Sequence, residues 1–215
     1  MIKNKLILLI WLVALFSNGS SAMNPNIDYI VNGDVIKPWR LQLEFGKKVY
    51  NNNKVSTLRR SLTVEPIAVS KDAKAVRLNW QPKGIANEWG AVNKNILTAT
   101  LVNSKKMIDL STVVDRAALT LELKVNRSPQ ENVDLMMECG RNWQCRSRFP
   151  LKNVLKSLPE NQWSIIPIPL KCLVQDGFDM SKISSIFGLQ TEGKLDIEIA
   201  NIQLTSLPEG NINCG

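Results

Sequence analysis

The stretch that most constrains the fold is Ala118-Leu119-Thr120-Leu121-Glu122-Leu123-Lys124-Val125. Leu119, Leu121, Leu123 and Val125 share one phase, and Thr120, Glu122 and Lys124 share the other. Successive side chains of a strand point to opposite sides, so period two over eight residues describes a strand with one buried and one wet face. The run Val133-Asp134-Leu135-Met136-Met137-Glu138 repeats the alternation after a turn around Ser128-Pro129-Gln130. This predicts that the two runs are antiparallel neighbours.

Strand-like runs recur at 39–45, 61–70, 75–80, 96–102, 162–170, 187–190 and 195–204. Turn-rich pieces separate them, such as 46–54 with Asn51-Asn52-Asn53, and Gln81-Pro82-Lys83-Gly84. Pro66 cannot donate a ladder hydrogen bond, which predicts an edge or a bulge at its strand. In the last run Leu195, Ile197 and Ile199 keep one phase while Ile202 and Leu204 take the other, so a β-bulge is expected near Ala200-Asn201. Helical spacing is confined to 151–158, through Leu151, Val154, Leu155 and Leu158, and to 181–186. Many short strands with almost no helix predict an all-β sandwich of two antiparallel sheets.

Lys3 and Lys5 precede the apolar run 6–16, and small residues follow up to Ala22. This pattern predicts a Sec-type secretory signal peptide over residues 1–22. The apolar run is shorter than the roughly 18 residues that a membrane span requires, so no stable membrane insertion is expected after cleavage. Removing 22 residues and two lysines from a chain of 215 residues and net charge +8 leaves 193 residues at +6. The charges are dispersed, which argues for solvated surface and against nucleic acid.

Export agrees with the cysteines, because an even count in an oxidising compartment suggests disulfides. Cys139 and Cys145 are the easiest pair to join, since closing a short loop costs little entropy. Cys172 with Cys214 follows only by elimination, and a free Cys214 beside the C-terminus is the alternative. Zinc is not indicated, because no Cys-x-x-Cys knuckle is present. The chain contains no His, which removes Ser-His-Asp and Cys-His nucleophilic sites and every His-ligated metal site.

Paired carboxylates are the remaining catalytic option. Glu44, Glu122, Asp134, Asp196 and Glu198 read as outward strand positions, and Asp72, Asp176 and Asp179 as turn residues, so solvated surface accounts for them. No glycine-rich phosphate loop or Gly-x-Ser-x-Gly elbow occurs. No catalytic residue, cofactor or metal site is therefore assigned. A structural Ca²⁺ would need clustered oxygen ligands, and Asp196, Glu198 and Asn201 are too generic to name as one.

Binding is better supported. Trp39, Trp80 and Trp163 lie in or at the ends of strands and read as core. Trp89, in the polar run Asn87-Glu88-Trp89-Gly90, and Trp143, inside the 139–145 loop, read as platforms on which a sugar ring can stack. Arg141, Arg146 and Arg148 surround Trp143, and guanidinium groups hold hydroxyls or carboxylates through paired hydrogen bonds. The candidate carbohydrate-binding residues are Trp89, Trp143, Arg141 and Arg146, with a solvated basic loop as the plainer alternative.

Several segments carry a family resemblance: Ala118-Leu119, Lys124-Val125-Asn126-Arg127-Ser128-Pro129, the Cys139 to Cys145 loop, 151–158 with Gln162-Trp163, and Ile168-Pro169-Leu170-Lys171-Cys172. Gly177-Phe178-Asp179-Met180-Ser181-Lys182-Ile183, Phe187-Gly188-Leu189, Gly193-Lys194-Leu195 and Ile199-Ala200-Asn201-Ile202-Gln203-Leu204 continue it. In order and spacing they resemble the C-terminal galactose-binding-like domain of ExoP-type glucan glucohydrolases, bacterial enzymes of glycoside hydrolase family 3. Weaker similarity through Val76-Arg77-Leu78-Asn79-Trp80 and Pro38-Trp39-Arg40 extends the match to about residues 38–205.

The resemblance implies a jelly-roll sandwich of the carbohydrate-binding type. It carries over no catalytic residue, because that family's nucleophile and acid belong to preceding catalytic domains. The organisation expected is a signal peptide at 1–22, an N-terminal extension at 23–37, the sandwich at 38–205 and a tail at 206–215. A signal directly before the sandwich departs from the family arrangement and implies a module made alone.

The leading expectation is a secreted, non-catalytic module, periplasmic or extracellular, that binds a β-glucan-like or acidic glycan. The alternative is an interaction module that docks onto a glycan-processing enzyme or envelope protein without touching sugar. A small glycosidase ranks third.

Overall fold

The computed structural model describes residues 23–46, 48–57, 60–82, 85–86, 92–93, 96–207 and 214. The signal-peptide reading of 1–22 lies outside these residues, as does Trp89. In chain order the strands are β1 (Asp28–Val31), β2 (Asp34–Val35), β3 (Trp39–Phe45), β4 (Lys48–Tyr50), β5 (Val55–Ser56), β6 (Leu62–Ala68), β7 (Lys74–Trp80), β8 (Ile85–Ala86), β9 (Val92–Asn93) and β10 (Leu97–Asn103). They continue as β11 (Ala117–Arg127), β12 (Val133–Cys139), β13 (Arg146–Pro150), the helix α1 (Lys152–Ser157), β14 (Trp163–Pro169), β15 (Ile183–Thr191) and β16 (Leu195–Ser206).

Eight strands form one antiparallel sheet in the order β14-β11-β16-β7-β6-β5, with β1 beside the later half of β16 and β2 beyond it. Six form a second, β13-β12-β15-β10-β3-β4. The inward residues of both sheets, among them Leu119, Leu121, Leu123 and Val125 of β11 and Leu97, Ala99 and Leu101 of β10, make one continuous apolar cluster. A sheet with one apolar face must bury it against another element, and here the partner is the other sheet. The fold is therefore an all-β sandwich with one short α-helix among the described residues.

Two local expectations need correction. β11 and β12 are not neighbours: β11 pairs with β14 and β16, β12 pairs with β13 and β15, and the connection between them steps from one sheet to the other. Alternation reports which face a strand buries and nothing about which strand lies beside it. Residues 183–186, expected as helix, begin β15, and only a 3-10 turn at Met180–Lys182 precedes it. Asp179 caps that turn by accepting from the Ser181 N–H at 2.9 Å, and an irregularity in register near Ser185 produces the helix-like spacing.

Elsewhere local chemistry and structure agree. Glu122 pairs with Asn201 and Leu123 with Ile199, so Ala200 is the extra residue of a bulge that returns Ile202 to the core side. Pro66 lies in β6 beyond the two positions where β5 pairs with it, on an otherwise free edge. α1 is anchored by the fully buried Leu155. The stretch 23–37 supplies β1 and β2: Tyr29 and Ile30 are buried, and the Tyr29 ring packs edge-on against Trp39 with centroids 5.0 Å apart. Cys172 is bonded to Cys214, which ties the tail to the turn after β14.

Candidate functional site

The outer face of the six-stranded sheet carries three rows of side chains that run across the strands. Strand registry sets Arg148, Met136, Gly188, Thr100 and Gln42 in the central row. Pro150, Asp134, Gln190, Thr98 and Glu44 flank it on one side, and Arg146, Glu138, Ser185, Val102 and Arg40 on the other. Gly188 lets its neighbours close over the centre: a Cβ there would lie 3.0 Å from Thr100 Cγ2 and 3.5 Å from Met136 Cβ. The central row, called the trough below, is uncharged from Met136 to Gln42 and ends in Arg148, with Met136 and Gly188 buried at its floor and polar and charged side chains along its margins. Five strands at about 4.8 Å spacing give it a length of roughly 19 Å, suited to a short oligosaccharide.

The loop at the end of β12 rises beside this trough. Cys139 and Cys145 are disulfide-bonded with Cα atoms 5.3 Å apart, and Cys139 N–H donates to the Cys145 carbonyl at 2.9 Å. Gly140 and Arg141 both adopt positive φ to turn the chain. The loop is pinned from outside, because Gly140 N–H donates to the Lys182 carbonyl at 2.8 Å, Arg141 N–H to Ser184 Oγ at 3.0 Å and Arg141 Nη2 to the Ser104 carbonyl at 3.1 Å.

On this support Trp143 is 65% exposed. The Arg146 guanidinium sits 4.6 Å from the Trp143 ring centroid, and Glu138 Oε2 holds it through Nε and Nη2, both at 3.0 Å. The cation covers one indole face, an arrangement favoured by the ring quadrupole. The structure thus brings Trp143, Arg146 and Arg141 together with different roles. Trp143 presents surface, Arg146 backs it, and Arg141 fastens the loop. Glu138, which orients Arg146, was not singled out by sequence reasoning; the only available signal was its registry opposite Arg146 in a hairpin.

The outer face of the eight-stranded sheet is built differently. Arg77 donates from Nε and Nη2 to the two oxygens of Asp196 at 3.0 and 2.8 Å, and Asn79 Nδ2 donates to Asp196 Oδ2 at 2.8 Å. Asn126 Nδ2 bridges Asp196 Oδ1 and Glu198 Oε1, and Lys124 Nζ lies 2.7 Å from Glu198 Oε2. Glu198, expected as solvated surface, is only 6% exposed; the flanking Lys124 and Asn126 make that burial tolerable. Burial opposes ionisation of Asp196, but the hydrogen bonds from Arg77 and Asn126, followed by the Arg77 charge and Asn79, hold its carboxyl below the ordinary range. Lys124 also sits 5.6 Å from the ring of the half-buried Trp163, while Trp39 and Trp80 are core residues.

Asp196 and Glu198 are thus engaged with cations and amides, and Asn201 turns instead to Glu122 and the Asn32 N–H. Among the described residues no cluster of three or more His, Cys, Asp and Glu is placed to hold a metal ion. Among them, too, no helix is long and apolar enough to cross a membrane.

No curated protein sequence matches the chain. Among solved structures it is similar to the exo-1,3/1,4-β-glucanase ExoP of a Pseudoalteromonas species, at 15% identity and a TM-score of 0.62 over 85% of this chain. It spans 21% of that enzyme's length, and 94% of the extra C-terminal domain of the same enzyme solved alone. The family 30 carbohydrate-binding module of a Clostridium thermocellum cellulosomal cellulase is similar at 16% identity and a TM-score of 0.55, over 83% of this chain and 97% of that one. The family 11 module from Clostridium thermocellum, in complex with a β-1,3-1,4-mixed-linked tetrasaccharide, is similar at 12% identity and a TM-score of 0.51, over 83% and 94%. At these identities the likeness establishes a common fold. The model of the ExoP C-terminal family, described as galactose-binding domain-like, matches residues 37–204, most of the chain, and the protein belongs to that family.

Proposed function

We propose that this protein is a secreted, non-catalytic module that binds a β-glucan-like oligosaccharide along the trough of the six-stranded sheet, with Trp143 stacking on a sugar ring at its margin. The observation that carries the reading is Trp143 itself: an indole left open on a disulfide-closed loop and backed by a fixed guanidinium. Preformed surface of this kind lowers the ordering cost of binding. Gln42, Glu44, Thr98, Asp134 and Gln190 supply the donors and acceptors that sugar hydroxyls require. The mixed-linkage tetrasaccharide held by the family 11 module supports a β-glucan as the ligand class. Two disulfides fit an oxidising periplasmic or extracellular location.

A second reading, docking onto a glycan-processing enzyme or envelope protein, is favoured by one feature. β14 is a sheet edge whose outward Ile165 is 68% exposed beside exposed Pro167. Isothermal titration of the purified protein with mixed-linkage β-glucan oligosaccharides separates the two. Heat that saturates is expected for the module reading, and absence of binding to any glycan on an array would overturn it.

A further inference from the structure

A second surface is not used by the trough. On the outer side of β5, β6 and β7 lies a groove of about 760 Å³, lined by Lys54, Arg60, Thr63, Glu65, Arg77 and Asn79 among others. It belongs to the opposite sheet from Trp143. Three of these lining residues are cations and one is a carboxylate.

The groove is preorganised from the neighbouring strand. Asp196 on β16 takes the Nε and Nη2 edge of Arg77 and the Nδ2 of Asn79, while Asn126 fixes Asp196 in turn. The guanidinium plane is thereby locked, and its Nη1 end is the part turned away from Asp196. Asp196 already occupies the forked edge, and Glu65 is the cross-strand partner of Arg77 on β6, so a ligand carboxylate can meet only the Nη1 end, through a charge-assisted hydrogen bond. Lys54 and Arg60 add a positive field at the wall, and the Thr63 hydroxyl and Asn79 amide suit sugar hydroxyls.

We propose that this groove is a binding site for a carboxylated sugar, a uronic acid unit of an acidic glycan, independent of the trough. Calorimetric titration of the whole protein with trigalacturonic acid, with cellotriose as the neutral control, tests it. The wild-type protein is expected to bind the uronate at least tenfold more tightly than the neutral trisaccharide when the trough ligand, a mixed-linkage tetrasaccharide, is present at saturation. The double substitution Lys54→Ala/Arg60→Ala, at wall positions, is expected to weaken uronate binding at least tenfold and to leave tetrasaccharide binding unchanged. A melting curve confirms that the variant folds. Uronate binding that is absent in the wild type, unchanged in the double variant or abolished by Trp143→Ala overturns the proposal. So does displacement by dextran sulfate at equal charge concentration, because it would mark a non-specific ionic surface.

Discussion

Arg146 lays its guanidinium over the Trp143 ring at 4.6 Å while Glu138 holds the same group through two contacts of 3.0 Å. One indole face is thus closed by the protein itself, and stacking can use only the other. Because Trp143 is exposed, Trp143→Ala should leave stability within about 0.5 kcal/mol of wild type. It should weaken β-glucan retention in affinity electrophoresis at least tenfold. Glu138→Gln, which loosens Arg146 without touching the ring, should produce a smaller loss of about two- to fivefold. Retention unchanged in both variants would remove Trp143 from the site.

The same platform depends on the 139–145 disulfide. Its sequence separation of 6 closes a small loop, for which chain entropy predicts about 2 kcal/mol of stabilisation. The Cys172–Cys214 pair, separated by 42, should contribute about 4 kcal/mol on the same basis. Cys139→Ser/Cys145→Ser should therefore lower stability less than Cys172→Ser/Cys214→Ser in urea denaturation. Only the first should reduce glucan retention, because only that loop carries Trp143. The reverse ranking of retention would place the sugar site elsewhere.

What could be read from the sequence follows from the range of each interaction. Alternation in 118–125 and the phase change near Ala200-Asn201 are local, and both correspond to a strand and a bulge. Partners that meet across the fold leave no local trace. Arg77 and Asp196 are 119 residues apart and Asn126 and Glu198 are 72 apart, so in sequence Glu198 reads as ordinary strand surface. The pairing of β1 with β16 joins the two ends of the described chain, and nothing near Tyr29 announces it. The loop that carries Trp143 is local and closes on itself within seven residues, whereas Glu138 meets Arg146 only through the pairing of β12 with β13.

Two glycines with positive φ should respond differently to alanine. At Gly33, φ is +74° and an added Cβ would lie 2.4 Å from the carbonyl carbon of Ala75, backbone that cannot move aside. At Gly140, φ is +63° and nothing lies within 4 Å. Gly140→Ala should cost about 1 kcal/mol, the left-handed penalty alone. Gly33→Ala adds a backbone clash and should cost roughly 3 kcal/mol or prevent folding. Equal melting temperatures for the two variants would contradict the close packing of the β1–β2 turn on β7.

The Asp196 network makes part of the fold's stability depend on pH. Its carboxyl titrates lower in the folded protein than in the unfolded chain, where the ordinary value is about 3.9. The stabilisation linked to it is therefore fully present above about pH 4 and is lost as pH falls through the lower folded value. Asp196→Asn keeps the shape but removes the charge that Arg77, Asn79 and Asn126 address, and it turns an amide donor towards them. At pH 7 the variant should be less stable by about 2 kcal/mol, the scale of a hydrogen bond to a charged group. In wild type, protonation imposes the same loss, so the difference between the two should shrink as pH drops below 4. A stability gap that stays constant from pH 7 to pH 2 would mean that Asp196 acts through packing and not through its charge.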